Sequence, residues 1–461
     1  KSNVFDITAN DVSLTNLIII NSNGTHSGAI YSEGYLSISD CCFKNNIANL
    51  NKIYQDESNS EYMWEGGLGG AIYSTGDDLL CDNCTFINNT ALTALNSEYE
   101  FDGGIGGAIY SEGYLSVFNC NFTGNHAPIS GSAIFGAKID IYFSTFTNNY
   151  VDTALATCID DEGNEFNITE GGFGGAVSAF DKLYCQDSIF KNNYALSKDE
   201  DGGIAGALYS SGDMTLINDK FISNHADLMA GAILCCDNED EETVIKSKLT
   251  ISDCIFEDNY IGPKFDENTE YEPLGGGAIV IISTGSNTIT NSNFTNNNAN
   301  GVFILIEGEG IGQLISDDND TGVINNGPAG GAIYSITNLK CDNCNFIRNH
   351  AFTGGAICVV SEDNSIVTIS KSNFYDNNAS DCGGAVCIQG NGKISECNLI
   401  NNPSKYGQLI YEDGYDFTFN NNYWGSAYNP NKADLQKFAN DLHVIFASAD
   451  FDFYSKVPTT W

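Results

Sequence analysis

Residues Gly106–Asn125 run Gly-Gly-Ala-Ile-Tyr-Ser-Glu-Gly-Tyr-Leu-Ser-Val-Phe-Asn-Cys-Asn-Phe-Thr-Gly-Asn. Two phrases frame this stretch, Gly-Gly-Ala-Ile-Tyr-Ser at its start and Phe-x-x-Asn at its end. The first recurs unchanged at Gly69–Ser74 and Gly330–Ser335, with variants that begin at Ser27, Gly174, Ala205, Gly276, Gly354 and Gly383. The second begins also at Phe43, Phe86, Phe146, Phe190, Phe221, Phe256, Phe294, Phe346, Phe374 and Phe419, and Leu399 substitutes in one further copy. From repeat Ala to repeat Phe the spacing is 14 residues in Ala29–Phe43, Ala108–Phe122, Ala176–Phe190, Ala207–Phe221 and Ala332–Phe346. Where the remaining connection is short, the full period is 24 to 29 residues: 25 from Ala108 to Ala133 and from Ala207 to Ala232, and 29 from Ala356 to Ala385.

Between the phrases apolar residues alternate, Leu36-x-Ile38 and then Cys41-x-Phe43, with Gly, Asn and Asp as punctuation. Period-two alternation in three short runs predicts three short strands per repeat. One repeat cannot bury its own apolar face, and stacked copies can. The expectation is an all-β, right-handed parallel β-helix of about twelve to thirteen rungs over residues 1–427. Residues 428–461 read as a C-terminal cap or a linker to a following domain. They carry a short amphipathic helix at Lys432–Leu442, with Leu435, Phe438 and Ala439 on one face. The Asn that closes Phe-x-x-Asn is expected at a rung corner, in left-handed backbone. Its amide would bond its neighbours in a ladder through Asn46, Asn89, Asn125, Asn149 and Asn193.

The chain has 461 residues, with 60 acidic against 19 basic side chains and a formal charge of −41. Its 27 Phe and 23 Tyr exclude a disordered acidic tail. That charge disfavours nucleic acid and anionic membrane surfaces as partners. No apolar run of about 18 residues is present, so no membrane-spanning helix is expected. The long connections Ile47–Gly67, Thr90–Gly104, Tyr150–Gly172, Tyr194–Gly203 and Tyr260–Leu274 share one slot, and Cys235–Ile245 occupies a second. Insertions in one slot map to one face. They carry acid and aromatics together, which makes Tyr62, Trp64, Tyr99 and Phe101 candidate ligand contacts. A merely solvated acidic rim is the competing reading. Asp160, Asp161 and Glu162, and Asp317, Asp318 and Asp320, are candidates for Ca²⁺, which takes about six to eight oxygens. Neither run matches the twelve-residue calcium loop.

Cys81-x-x-Cys84 and Cys341-x-x-Cys344 have zinc-like spacing. Register places them elsewhere. Cys81, Cys185 and Cys341 stand five before the repeat Phe, where other copies have Ile or Val. Cys41, Cys84, Cys120, Cys254, Cys344 and Cys397 stand two before it, alternating with serines such as Ser144 and Ser188. Both are inward columns, so these thiols are expected as small buried hydrophobes. His126, His225 and His350 each follow the repeat Asn, in rungs at least three apart, and read as turn residues rather than ligands of one ion. For catalysis, a uronate lyase needs cationic groups, and Arg348, the one arginine, stands in a corner slot. A hydrolase needs paired carboxylates about 5 to 9.5 Å apart, and no such pair recurs in adjacent rungs. The chain therefore reads as non-enzymatic, with no cofactor beyond calcium. A carbohydrate-active enzyme and a purely structural stalk are the alternatives.

The alternation of Gly-Gly-Ala-Ile with Phe-x-x-Asn resembles the repeats of bacterial polymorphic outer membrane proteins. Asn421-Asn422-Tyr423-Trp424-Gly425-Ser426, with the opening Val4-Phe5-Asp6-Ile7 and Leu14-Thr15-Asn16-Leu17, is more similar to adhesin-like surface proteins of methanogenic archaea. The resemblance implies a secreted, surface-anchored adhesin segment. It would be monomeric and not inserted in the membrane, and would attach to a glycan or protein on a host or neighbouring cell.

Overall fold

The structure, a computed structural model, describes residues 3–56, 61–159, 165–197, 202–240, 243–262, 274–299, 327–360, 365–404, 410–413, 417–423 and 451–452. The chain divides into two compact units. Lys1–Asp227 with Asn238–Ile245 forms the first, and Leu228–Asp237 with Lys246–Trp461 the second.

A rung of the first unit comprises the strands Ile72–Ser74, Asp78–Asp82, Thr85–Ile87 and Thr90–Ala91. Each pairs in parallel with its counterparts in the neighbouring rungs: Ile72 with Ile30 and Ile109, Phe86 with Phe43 and Phe122, Thr90 with Ile47. The second unit repeats the plan. Ile333–Ser335, Leu339–Asp342, Asn345–Ile347 and His350–Thr353 lie beside Ile357–Val360, Ile366–Ser370, Asn373–Tyr375 and Asn378–Cys382. The architecture is an all-β parallel β-helix, as the repeat predicts. Among the described residues, the sheet that holds the repeat Phe column has seven strands in the first unit and five in the second.

Alternation makes the core. In Asp78–Asp82, Leu79 and Cys81 are buried while Asp78 and Asp82 are exposed. The repeat phenylalanines are fully enclosed and stack rung on rung. Centroids are 4.7 Å apart and within 7° of parallel for Phe86–Phe122, Phe122–Phe146 and Phe146–Phe190. In the second unit Phe256, Phe294, Phe346 and Phe374 continue at 4.8–4.9 Å. Burying each ring is worth about 1.5–3 kcal/mol, and each stacked pair adds about 0.5–1.5.

The Asn ladder forms, and it divides the work expected of one residue between two. The left-handed residue is the one before the ladder Asn: Asn45 (φ 52°), Asn88 (φ 52°), Asn148 (φ 55°) and Asn192 (φ 53°). Their side chains lie outside the core. Asn46, Asn89, Asn125, Asn149, Asn193 and Asn224 form the ladder itself and are buried. Each Oδ1 accepts both the backbone N–H and the Nδ2–H of the Asn in the preceding rung. Asn89 takes Asn46 N at 3.1 Å and Nδ2 at 2.9 Å, and Asn149 takes Asn125 N at 3.0 Å and Nδ2 at 2.9 Å. The other Nδ2 hydrogen goes to the Phe carbonyl one rung back, as from Asn149 to Phe122 O at 3.0 Å. Asn259, Asn297, Asn349, Asn377 and Asn402 form the equivalent ladder in the second unit. A primary amide has the two donors and the two-lone-pair acceptor that this pattern uses up.

A second polar ladder runs through the column two before the Phe. Cys84 N–H donates to Cys120 Sγ (3.3 Å), Cys120 N–H to Ser144 Oγ (3.0 Å), and Ser144 N–H to Ser188 Oγ (3.0 Å). Ser188 N–H then donates to Asp219 Oδ1 (2.8 Å). The thiols of this column are buried, as expected, but they also accept backbone protons, which explains why serine replaces them freely. Asp219 is the exception, a carboxylate with no exposed surface. Burial pushes it up to about 7, against the opposing pull of the Ser188, Cys185 and Ile217 hydrogen bonds.

Near the C-terminus one register differs from the expectation. Phe419 pairs with Ile394, in the sheet of the Leu-x-Ile runs, rather than with Leu399 in the Phe column. Asn422 accordingly accepts the N–H of Cys397 at 2.9 Å, and Tyr423 bridges to Asn398. Within the expected cap, Phe451–Asp452 pairs in parallel with Phe419–Asn420. The expected helix Lys432–Leu442 lies outside the described residues.

The Asn ladder and the corner beside it predict very different responses at adjacent residues. Asn149→Ala strands the Asn125 donors and the Phe122 carbonyl and should lower unfolding free energy by about 3 kcal/mol or more. Asn148→Gly keeps the left-handed corner and should change it by less than about 0.5 kcal/mol. Urea midpoints compare the two. For Asp219 the folded pKa is raised, so the folded chain holds a proton that the unfolded chain has released. Its stability contribution is greatest below about pH 4, falls as pH rises towards 7, and stays low above that. Asp219→Ser, which keeps the acceptor, should stabilise by on the order of 4 kcal/mol at pH 8 and by little at pH 4.

Candidate functional site: a row of hairpins

In the first unit the long connections begin later than the sequence suggested, because a short third strand comes first: Ile47–Ala48, Thr90–Ala91, Tyr150–Asp152 and Tyr194–Leu196. Beyond that strand, three of the insertions form antiparallel hairpins rather than irregular loops. Leu50–Asp56 pairs with Glu61–Gly66, Thr93–Leu95 with Phe101–Gly103, and Ala154–Ile159 with Glu165–Glu170. Each hairpin returns through a glycine pair at positive φ, Gly66 and Gly67 (104°, 70°), Gly103 and Gly104 (75°, 73°), Gly171 and Gly172 (94°, 81°). These glycines let the hairpin bases touch: a Cβ on Gly67 would lie 3.1 Å from Gly103 Cα, and one on Gly171 would lie 2.4 Å from Ile129 Cα.

The hairpins stand side by side. Glu61–Gly66 runs beside Phe101–Gly103. The second and third hairpins meet across a rung whose connection is short. Tyr99 and Phe166 approach to 6.0 Å between ring centroids, and Phe101 N–H donates to Glu170 Oε2 at 3.4 Å. Beneath them, in the intervening rung, His126 stacks on Tyr150 at 4.4 Å and its Nε2 is 2.5 Å from Asp152 Oδ1. The row exposes Ile53, Met63, Leu92, Tyr99, Leu155 and Phe166. Around them Glu65, Glu98, Glu100, Glu165 and Glu170 are exposed carboxylates. Exposed apolar side chains that adjoin, as Tyr99 and Phe166 do, and are rimmed by charge mark an interaction surface more often than scattered ones do.

Of the expected contact residues, Tyr99 is 53% exposed and held at φ 66°, in a turn where Asn96 Oδ1 accepts both the Glu98 and Glu100 N–H groups at 2.9 Å. Phe101 is half-buried on the returning strand of the same hairpin. Tyr62 and Trp64 sit on the strand of the first hairpin, opposite Tyr54 and Lys52 in backbone register. The expected calcium ligands Asp160, Asp161, Glu162, Asp317, Asp318 and Asp320 all lie outside the described residues. Among the described residues no group of three or more His, Cys, Asp or Glu is arranged to hold a metal ion. The three histidines pair with neighbouring rungs rather than standing in turns: His225 and His350 begin the strands His225–Ala226 and His350–Thr353, and His126 bridges Thr90 and Tyr150. His225 Nε2 lies 3.2 Å from Asp227 Oδ1, and His350 pairs in register with Asn298 and Asn378. Burial lowers the pKa of His350.

Phe143 lies outside both repeat phrases. It occupies the corner that other rungs fill with Asp40, Asn83, Asn119 or Asp187, at φ 50° and 57% exposed. A bulky residue in left-handed backbone stores strain, and a ring this exposed offsets little of it by packing. Next to it Tyr142 stacks on Phe118 (4.6 Å) and meets Tyr184 at 5.4 Å with the rings tilted by 40°, and Tyr114 donates to Asp140 at 2.5 Å. Partial burial and the Asp140 carboxylate push the Tyr142 phenol up to about 12. An aromatic at a slot otherwise polar is legible once the repeats are laid over one another.

Two rungs of the first unit, residues 40–75 and 83–112, match the family model for the repeat of the Chlamydia polymorphic membrane proteins. No curated protein and no solved structure matches the chain significantly.

Relief of backbone strain should show where the aromatics are held for something other than stability. Phe143→Asn and Tyr99→Gly should each leave stability unchanged or raise it by about 1 kcal/mol, read as the urea midpoint. A loss of about 1 kcal/mol or more would mean that the rings are structural.

Proposed function

We propose that this chain is an extracellular, cell-surface adhesin segment whose hairpin row attaches to a glycan or protein on a host or neighbouring cell. The observation that carries this reading is the meeting of Tyr99 with Phe166 across a rung, which joins separate insertions into one apolar, acid-rimmed strip. The likeness of two rungs to a membrane-protein repeat supports a surface location. The sequence resemblance to archaeal adhesin-like proteins points the same way. Attachment is by binding, not by chemistry. Arg348, the one arginine, has its Nε bonded to Asn296 Oδ1 at 2.9 Å, a corner-to-corner contact that supports a structural role for it.

The test pairs a variant of the row with a control outside it. Tyr99→Ala with Phe166→Ala should weaken binding to glycan arrays or whole cells by roughly tenfold or more. Ile366→Ala, at an exposed apolar residue of the second unit, should leave binding intact. Equal binding by the native chain and both variants would remove the row as the attachment surface.

A further inference from the structure

In the second unit the column Tyr334, Cys358 and Cys387 lies in register across successive strands, at the position that Tyr31, Tyr73 and Tyr110 occupy in the first unit. A second column, one arch earlier, aligns Thr353 with Cys382. The two columns converge. Cys382 Sγ is 3.8 Å from Cys387 Sγ and 3.8 Å from Thr353 Oγ1, and Cys387 also meets the Cys358 thiol. All three thiols are enclosed, with Ala329, Val360 and Tyr334 closing the cluster.

These sulfurs differ from those of the inward column. There each thiol is occupied by backbone: Cys344 Sγ donates to Asp342 O at 3.5 Å, and Cys397 Sγ to Ser395 O at 3.3 Å. Neighbouring cysteines of such a column, like Cys358 and Cys387, also project from parallel strands in register, which disfavours the near-perpendicular disulfide dihedral. Cys382 and Cys387 do not share that limit. Cys382 ends the strand Asn378–Cys382, Cys387 lies in Val386–Gln389, and the Gly383–Gly384 arch turns the chain between them. Gly383 sits at φ 65°, so the arch can adjust without side-chain strain. Closing from van der Waals contact to a bond of about 2.05 Å is then a local shift.

We propose that Cys382 and Cys387 are a disulfide-forming pair that closes the arch covalently when the chain meets an oxidant of the small-molecule disulfide class. The thiolate of one attacks a sulfur of the oxidant RSSR. A mixed disulfide forms, and RS⁻ leaves to take up the proton released. The second protein thiolate attacks the protein sulfur of that mixed disulfide, the new bond forms, and a second RSH leaves. Two protein thiols lose two electrons and one RSSR becomes two RSH, so the step balances. The neighbouring thiols and burial raise the Cys387 pKa well above that of a free thiol. Attack therefore awaits opening of the arch, which makes the reaction slow in the native chain. Pairing is a property of this arch and is independent of what the hairpin row binds.

The experiment uses the full chain, reduced, freed of reductant under argon, and incubated with oxidised glutathione in urea below the unfolding transition. Free thiols are then alkylated in denaturant and peptides mapped without reduction. The expected result is one linked peptide joining Cys382 to Cys387, with thiol content two below the 16 of the reduced chain. Cys382→Ser and Cys387→Ser should each abolish the link, and Cys358→Ser should retain it. A Cys358–Cys387 link in its place overturns the assignment. So does a link within the inward column, such as Cys84–Cys120, with Cys382 and Cys387 still free, or full recovery of every thiol.

Discussion

At every turn out of a Phe strand the chain buries a backbone N–H and, one rung back, a Phe carbonyl, both facing the core with no strand partner. Leaving either unpaired costs about 1–3 kcal/mol. A buried asparagine amide meets both demands at once, but only if another asparagine stands one strand spacing above it. The Asn ladder thus converts a local problem into a condition on the next repeat. Asn89 needs Asn125, and Asn125 needs Asn149. Insertions between Phe and Asn would break every such contact, so the chain places them beyond the third strand, where the ladder is complete. The position of the hairpins follows from the hydrogen-bond arithmetic of a residue they never touch.

The same condition explains which positions tolerate exceptions. In the column two before the Phe, the requirement is only an acceptor for a backbone N–H, and sulfur, hydroxyl, carboxylate and amide all fill it. Asp219 meets the geometric demand while retaining a proton near neutrality, which costs stability that serine would not. At the left-handed corners the requirement is backbone conformation alone. Asn, Asp, Gly, Ser, Lys, Glu, Arg and Phe143 all appear there. Variation follows what each slot demands: least where the amide needs both donors and acceptor, most where the side chain faces water.

Much of this was legible because period and alternation repeat so often. Columns of Phe, of Asn and of Cys with Ser can be aligned by counting, and their burial follows from parity. Three features were not legible, for physical reasons. Asn45 and Asn46 are the same residue type side by side, so composition cannot say which takes the positive φ and which enters the core. Phe419-x-x-Asn422 has the spacing of the repeat phrase yet sits one sheet earlier, because both columns accept an aromatic and both need an acceptor two or three residues later. Glycine pairs such as Gly66–Gly67 read as repeat punctuation, whereas their role is to let hairpin bases approach within a backbone's width.

The contact between Tyr99 and Phe166 was invisible for a further reason, and it bears on function. These residues lie 67 positions apart in the numbering and belong to rungs that are not neighbours. They meet because the rung between them, Phe122–Asn125, has a short connection, with Pro128 and Ile129 packed against Gly104 and Gly171 at the hairpin bases. A low rung between two tall ones leaves room for Tyr99 and Phe166 to meet over it. The apolar strip is therefore set by the order of short and long connections along the stack rather than by any one insertion. Lengthening the His126–Ser130 connection would separate Tyr99 from Phe166 without altering either residue, so in this architecture the spacing of the rungs is itself part of what shapes this surface.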